Sequence, residues 1–538
     1  MIHVSNAWAK AQKQTLLPEM FVEITYMITN PGVQEMAVVS ANYPEEFSNV
    51  EQVIVSEDKH TEKYATLDYG CWGLDGSFGW FDGSPVDPGY VDSNYSGEDC
   101  RMGINPYPKI SMDFEMRQDV ALPGLTITWD KTFGGWATDF VISAYDANGM
   151  IARKEVTGNT SPKSVVWVDI FEYTRVTVEI LRWSHPFQRP RCLEILLGVQ
   201  QIYTKDDLLQ YEHSQTVDLL SASLPENKIT FHLRNDDGRW NPDNPEGSEK
   251  YLTEQQEMVV RYGMDIGGTT EWIKGGTFWL SERSTPSNGM EVVFTARDGQ
   301  EFMKNAYRGT LTGNLYDIAT AAFIEADLPI RGDGVPRYFV HDSLQSMNTA
   351  FTEADYSYTV AEVLQMVANA GACVFYQDRD GILRIEPWSA TYSNYLIDQT
   401  ISYSHPEYTM SKPLKAVSVG YGEDQRVEVA VGVKGEIQTV DNPLLDTEED
   451  ALRVAEATKE ILKNRRVVEG DFRADLRVDA LDNIIVTSKY ASNVVAVTGI
   501  TYSTSGGSFK GTYTGRVVSI SMKPEEVYVN EYYVGELW

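Results

Sequence analysis

The chain is poor in cysteine, in histidine and in positive charge, and each shortage closes off a class of function. Four cysteines in 538 residues, Cys71, Cys100, Cys192 and Cys373, are too few and too scattered for a disulfide framework, and none stands at the C-x-x-C spacing of a zinc site. They read as small buried side chains, with a Cys71–Cys100 pair across one Gly/Asp-rich segment as the minor alternative. The seven histidines (His3, His60, His185, His213, His232, His341 and His405) are dispersed, without metal-ligand spacing. Against 78 acidic residues there are only 45 lysines and arginines, a net charge of −33, and no basic cluster. A protein that grips phosphate needs such clusters to release counterions, so stable nucleic-acid binding is not expected. No apolar run of about 18 residues occurs, so no membrane-spanning helix is expected. The first twenty residues lack the apolar centre of a secretory signal, so synthesis in the cytoplasm is the expectation.

Catalytic signatures are absent as well. The sequence contains no G-x-S-x-G elbow, H-E-x-x-H pair, phosphate-binding G-x-x-x-x-G-K-[ST] loop or G-x-G-x-x-G fingerprint, and a non-enzyme is the expectation. Carboxylates are so numerous that a glycosidase-like pair can always be named by counting, which keeps a cell-wall hydrolase as an alternative without pointing to residues.

What the chain has is β-forming residues and turns. Thirty tyrosines and twelve tryptophans, with 42% hydrophobic residues, indicate folded β-rich cores, and the length calls for about three or four domains. Alternating strands are predicted at Met20–Thr29, 35–41 and 49–56. A block at 59–198 follows, with strands at 110–116, 125–130, 139–149, 164–170, 174–183 and 191–198 separated by Asp-Gly and Asn-Gly turns. That spacing reads as a β-sandwich. Further strands are predicted at 215–220, 228–233, 258–263, 277–284 and 290–296. The loop 235–242 between two of them is turn-dense and places Arg239-Trp240 in an exposed position.

From 310 to 400 the pattern turns α/β. Helices are predicted at 315–326 and 359–370, the second with Val360, Val363, Leu364, Val367 and Ala368 on one face and Gly371 at its end. Strands follow at 373–376 and 382–386 around the turn Asp378-Arg379-Asp380-Gly381. Between 401 and 525 β-structure returns, interrupted by a helix at 448–464. There Thr447 and Asp450 form the start, acids fill the first turn, and Lys459, Lys463, Arg465 and Arg466 crowd the end.

The run SASLPENKITF…NDDGRWNPDNP…KYL within residues 219–262 closely resembles the tail-hub proteins of bacteriophages and related contractile injection machines of Gram-positive hosts. The block 59–198 is similar to galactose-binding-like jelly rolls in its "WGLDGS" opening, "SAYDANG" middle, "TRVTVEI" strand and "LEILLG" close. Together these imply a mainly β fold with a smaller α/β part: two hub-type β-barrels, a middle α+β domain and an inserted β-sandwich. The implied order is 1–58 for the first strands of barrel one and 59–198 for the insertion. Residues 199–309 complete the barrel, 310–400 form the middle domain, 401–525 form barrel two with its helix, and 526–538 form a tail or closing strand. Many hubs carry a wall-degrading module after the second barrel, and on this reading none is expected here.

The resemblance further implies a virion structural protein at the tail tip or baseplate of a phage or phage-like particle. It would be a homotrimer whose paired barrels imitate a sixfold ring at the end of the tail tube. The implied partners are the distal tail or tube protein, the tape-measure protein, and fibres or receptor-binding proteins.

A carbohydrate-binding, tailspike-like receptor protein is the alternative, because the sandwich loops carry aromatic and polar residues suited to sugars. The candidate glycan residues are Trp80, Phe81, Tyr90, Trp136, Trp183, His185, Phe187 and Arg189, with Tyr95 nearby, whereas Trp72, Trp129 and Trp167 lie on or beside strands and read as core. No cofactor is expected. The Asp-rich turns leave a structural Ca²⁺ as an alternative, chiefly in the jelly roll, although no regular calcium loop occurs.

Overall fold

The computed structural model describes residues 2–14, 18–29, 33, 36–41, 107–129, 135–185, 190, 192–285, 289–329, 335–351, 357–389, 395–488, 491–505 and 508–521. The expected strand at 49–56, the residues Cys71, Cys100, Trp80, Phe81, Tyr90, Tyr95, Phe187 and Arg189, and the tail 526–538 lie outside the described residues.

The fold is mainly β. Ser5 caps a short helix α1 (Asn6–Gln12), which precedes β1 (Met20–Thr29). A sandwich follows: β2 (Val38–Ala41), β3 (Lys109–Gln118), β4 (Leu122–Trp129), β5 (Ala137–Asp146), β6 (Gly149–Val156), β7 (Lys163–Ile170), β8 (Tyr173–Trp183) and β9 (Cys192–Tyr203). One of its layers runs β2-β3-β8-β5-β6 and the other β7-β4-β9. Trp129, Phe140, Ile142, Val178, Ile180 and Leu197 fill the space between them.

Two boundaries differ from the sequence reading. The segment 35–41, expected to complete the first barrel, supplies β2, which pairs with β3 of the sandwich (Val38↔Asp113 to Ala41↔Ile110). The inserted domain therefore starts soon after β1. At its far end no linker separates it from the barrel, because β9 belongs to both. Its first half pairs with β4, its second half with β1. At the crossover, Gly198 has φ +152°, and a Cβ there would lie 2.6 Å from the Ile28 carbonyl oxygen, so only glycine fits.

The first barrel unit continues with β10 (Leu208–Thr216), β11 (Glu226–Arg234), β12 (Glu257–Ile266), β13 (Thr269–Ser284) and β14 (Glu291–Arg297). Burial alternates along β11 and β14, the signature of a sheet with one face in a core. The strand predicted at 215–220 ends at Thr216. Beyond it Asp218 turns the chain by accepting the backbone N–H groups of Leu220 and Ala222 at 2.9 Å each.

The middle domain contains β15 (Thr312–Asn314), α2 (Leu315–Glu325), β16 (Tyr338–Val340), β17 (Asn348–Ala350), α3 (Val360–Ala370), β18 (Val374–Gln377) and β19 (Leu383–Glu386). A capping box of Thr359 and Glu362 starts α3, and the predicted apolar face is buried. Next come β20 (Leu396–Ile397), β21 (Glu407–Met410), β22 (Leu414–Tyr421), β23 (Gln425–Ala430), β24 (Glu436–Val440) and α4 (Glu448–Leu462). The helix α4, placed with the second barrel by sequence, packs instead with β22 and β23, and its Ala451, Val454 and Ala455 share a core with Leu364 and Val367 of α3. Residues 414–462 thus enlarge the middle domain.

The second barrel unit is β20, β21, β25 (Arg466–Arg473), β26 (Asn483–Thr487), β27 (Ser492–Ser505) and β28 (Ser508–Ser521).

These two units repeat one topology. In the first, the neighbours run β10-β11-β14-β13-β12 and then β1; in the second, β21-β25-β28-β27-β26 and then β20. Chain order matches at every step, and the first four pairings are antiparallel in both. The last pairing differs, being antiparallel for β1–β12 and parallel for β20–β26. The units are fused: β10 pairs with β27, making one 15-stranded sheet over a shared core that includes Phe231, Phe294, Phe472 and Tyr502.

Candidate functional site

Where the two barrel units meet the middle domain, a turn from the latter inserts a cation between the former. The β18–β19 hairpin reverses at Asp378-Arg379-Asp380-Gly381, with Gly381 at φ +71°, where a Cβ would lie 2.9 Å from Arg337 Nη1. Asp378 shapes the turn by accepting the N–H groups of Asp380 and Ile382, and it holds Arg384 Nε at 2.6 Å. That geometry projects Arg379 into the seam. Its Nε and Nη2 donate to Asp479 Oδ1 of the second unit at 3.0 and 2.8 Å, Nη1 donates to the Lys274 carbonyl of the first unit at 2.8 Å, and Nη2 also donates to the Leu476 carbonyl at 2.7 Å. The guanidinium side chain is only 7% exposed.

A polar chain extends from this cation through the first unit. Gln215 donates to Asp479 at 3.2 Å and accepts from Ala480 N at 2.9 Å. His213 lies 2.7 Å from the Tyr262 hydroxyl through Nδ1 and 2.9 Å from Asn227 Oδ1 through Nε2. Burial lowers its pKa to about 4, so the imidazole is neutral near pH 7. Neutral imidazole has one donor, and Asn227 Oδ1 can only accept, so the Nε2–H tautomer leaves Nδ1 to accept from Tyr262. Both nitrogens are engaged and the residue is fully buried, an arrangement for holding strands together rather than for moving protons to a substrate.

The stretch that resembles tail hubs supplies the other fasteners. Ser221 Oγ accepts from Phe375 N at 2.8 Å and donates to the Cys373 carbonyl at 3.2 Å, tying the end of the barrel turn to β18. Asn369 at the end of α3 donates to the Leu220 carbonyl. Trp240 is not exposed: it packs edge-on against Phe294 in the core, and its backbone N–H donates to Asn235 Oδ1 at 3.0 Å. Arg239 lies over both Trp167 of the sandwich and Trp240. Asp169 of the sandwich accepts from Tyr251 Oη at 2.5 Å and Lys250 Nζ at 3.2 Å. The loop thus braces the inserted domain on the barrel.

A cavity of about 380 Å³ opens beside the seam. Its carboxylates already have structural partners: Asp479 holds Arg379, Asp378 holds Arg384, Glu226 holds Lys228, and Glu386 accepts from Tyr376 Oη at 2.6 Å. Asp298, also in the wall, is 2% exposed and caps a short 3-10 turn by accepting from Gln300 N. Burial pushes its carboxyl up to about 7, against the opposing hydrogen bonds from Gln300. Among the described residues no group of three or more His, Cys, Asp or Glu side chains is arranged to hold a metal ion. Cys192 and Cys373 are both free and buried.

At one end of the sandwich the structure brings together Trp136 and His185. Their rings meet edge-on at 5.8 Å, Ser184 Oγ bridges Trp136 N and His185 Nδ1, and Trp136 Nε1 donates to the Asn159 carbonyl at 3.0 Å. Trp183 departs from the sequence expectation. It is 1% exposed and packs against Trp129, because its position on β8 points inward, so it offers no face to a sugar. Sequence reasoning missed Arg379, Asp479, Gln215 and His213. The only local sign was an arginine at the tip of a tight Asp/Gly turn, where a charge is normally solvated.

No family model matches the chain, and no curated protein matches it either. Among solved structures it is similar to a tail protein from Neisseria meningitidis (12% identity, 60% of this chain and 94% of that one, TM-score 0.42). It is also similar to a 43 kDa prophage tail protein from Shewanella oneidensis (11%, 59% and 95%, 0.42) and a prophage tail protein from Listeria monocytogenes (10%, 59% and 92%, 0.36).

Proposed function

We propose that the chain is a structural hub of a phage tail or phage-like injection particle, assembled as a homotrimer that closes the distal end of the tail tube. The observation that carries this reading is the repeat of one strand order in two fused units. Three copies would present six like units, which matches a sixfold tube with one kind of contact surface. The resemblance of residues 219–262 to tail hubs supports it independently, and those residues hold the first unit to the middle domain and to the sandwich.

In this role the work is mechanical. The paired units form the ring, the middle domain is locked to it through Arg379, and the sandwich is carried rigidly on β9. The partners are the distal tail or tube protein, the tape-measure protein and fibres, in the virion. A net charge of −33 would let DNA pass without sticking. Native mass spectrometry of the full-length protein should give a trimer, and labelled antibody should mark the tail tip. Monomers alone, in solution and in dissociated tails, overturn the proposal.

The Trp136–His185 cluster favours a second role for the sandwich, recognition of a surface glycan by stacking on the indole. A glycan array should then show selective binding that Trp136→Ala abolishes. Binding unchanged by that substitution would refute the assignment of this end of the sandwich.

A further inference from the structure

Inside one chain the two units are joined by a specific contact. The outer edge of β10 pairs antiparallel with the far part of β27, from Gln210↔Ser505 to Thr216↔Gly499. That part of β27 is available because β26 covers only Ser492 to Ala496. The topological repeat assigns counterparts to both partners. β13 corresponds to β27, and β21 corresponds to β10.

On β13, pairing with β12 ends at Trp279, and the last backbone bonds on that side join Leu280 to Gln255 and Gln256. Residues 281–284 extend past them, partly or fully exposed, held on the other edge by β14. On β21, one edge pairs with β25 from Glu407↔Glu469 to Met410↔Arg466. Among the described residues the other edge has no strand partner, and all four side chains are exposed. The strand carries neither lysine nor proline, the residues that commonly blunt a free edge. Met410 is 55% exposed and Tyr408 36%. Within the chain β21 and β13 do not pair.

We infer that β21 of one copy pairs antiparallel with residues 281–284 of β13 in a second copy, repeating between chains the join that β10 and β27 make within one. The contact is heterologous, since the two surfaces differ. Repeating the internal operation therefore generates a closed ring or an open helix rather than a two-fold dimer. Four residues of edge meet four residues of edge. This inference rests on the ring reading and gives that ring its chain-to-chain contact.

The test places a photoreactive benzoylphenylalanine at Met410 of the full-length chain, an exposed position where the larger side chain does not disturb the core. Irradiation should yield a covalent dimer whose cross-link maps by mass spectrometry to the peptide containing residues 281–284. The reciprocal probe at Glu282 should return a peptide containing residues 407–410. A trimer whose cross-links map elsewhere from both probes overturns the edge assignment and leaves the ring standing. Monomers without cross-links from either probe overturn both.

Discussion

Replacing Arg379 by methionine keeps the aliphatic stem and removes the charge that joins three domains. The side chain makes two bonds to the Asp479 carboxylate and one each to the Lys274 and Leu476 carbonyls. Taken singly, hydrogen bonds to a charged group are worth about 1.5–3 kcal/mol. Four such values cannot simply be added, because one desolvated guanidinium makes them all. The better guide is the cost of breaking a buried ion pair from one side, roughly 3–5 kcal/mol. Among the described residues Asp479 then keeps the Gln215 amide at 3.2 Å as its donor, so much of that cost is the carboxylate left behind. A double variant, Arg379→Met with Asp479→Asn, removes the stranded charge and should recover about 1–3 kcal/mol relative to the sum of the single changes. Urea unfolding followed by tryptophan fluorescence and far-UV circular dichroism reads both effects. The single variant should also split the transition, with the middle domain melting apart from the barrels. A loss below about 1 kcal/mol, or no recovery in the double variant, would refute Arg379 as the fastener.

Two further outcomes follow from the same geometry. Burial holds the Asp298 carboxyl at about 7, well above the 3.8 of an ordinary aspartate, so the folded state binds the proton more tightly than the unfolded chain. Its contribution to stability is therefore present below the unfolded pKa and is lost as pH rises through 7. Asp298→Asn should flatten the stability–pH profile between about 4 and 7 and gain up to about 4 kcal/mol above it. An unchanged slope in urea titrations across that range would count against the assignment. Trp240→Ala opens a large hole under the loop that braces the sandwich and should cost about 3–5 kcal/mol, whereas Arg239→Ala at its surface should cost far less. Limited proteolysis should cut the Trp240→Ala protein between sandwich and barrel first, and equal resistance of the two variants would contradict the bracing role.

The alternation of buried and exposed residues was legible where a strand has one face in a core, which is why β1 was placed to the residue and β11 and β14 to within a residue or two. The end of α3 at Gly371 and the start of α4 at Thr447 were legible for a related reason, since each signal acts on its own helix within a few residues, whereas Thr359, which caps α3, was read as its first residue. β6 left no periodic trace: it is an edge strand exposed over most of its length, and nothing selects one face as apolar. α4 was found but given to the wrong domain, because an amphipathic helix declares that it has a partner without declaring which one. Trp240 and Trp183 were misplaced for the same reason. An aromatic residue beside prolines and charged residues looks like a binding surface until the neighbouring chain is known to cover it. The seam around Arg379 joins residues about one hundred positions apart and has no local pattern at all.

The fused sheet also constrains how force can pass through the molecule. β9 begins in the sandwich against β4 and ends in the barrel against β1, so no flexible linker at residue 198 separates the two. The other connection, through Asp169 to Lys250 and Tyr251, lies on the recognisable loop and prevents the sandwich from pivoting about that strand. From the opposite side, Gln12 of α1 donates to the Ala474 carbonyl, and Arg473 donates to the Gln12 and Gln14 carbonyls, so the N-terminal helix is clasped to the second unit. A displacement of the sandwich is thereby transmitted to β1, and through β12 and β13 to the edge proposed to meet the next copy. A domain tethered by a loose linker would dissipate the same movement; a shared strand would carry it toward the contact proposed between copies.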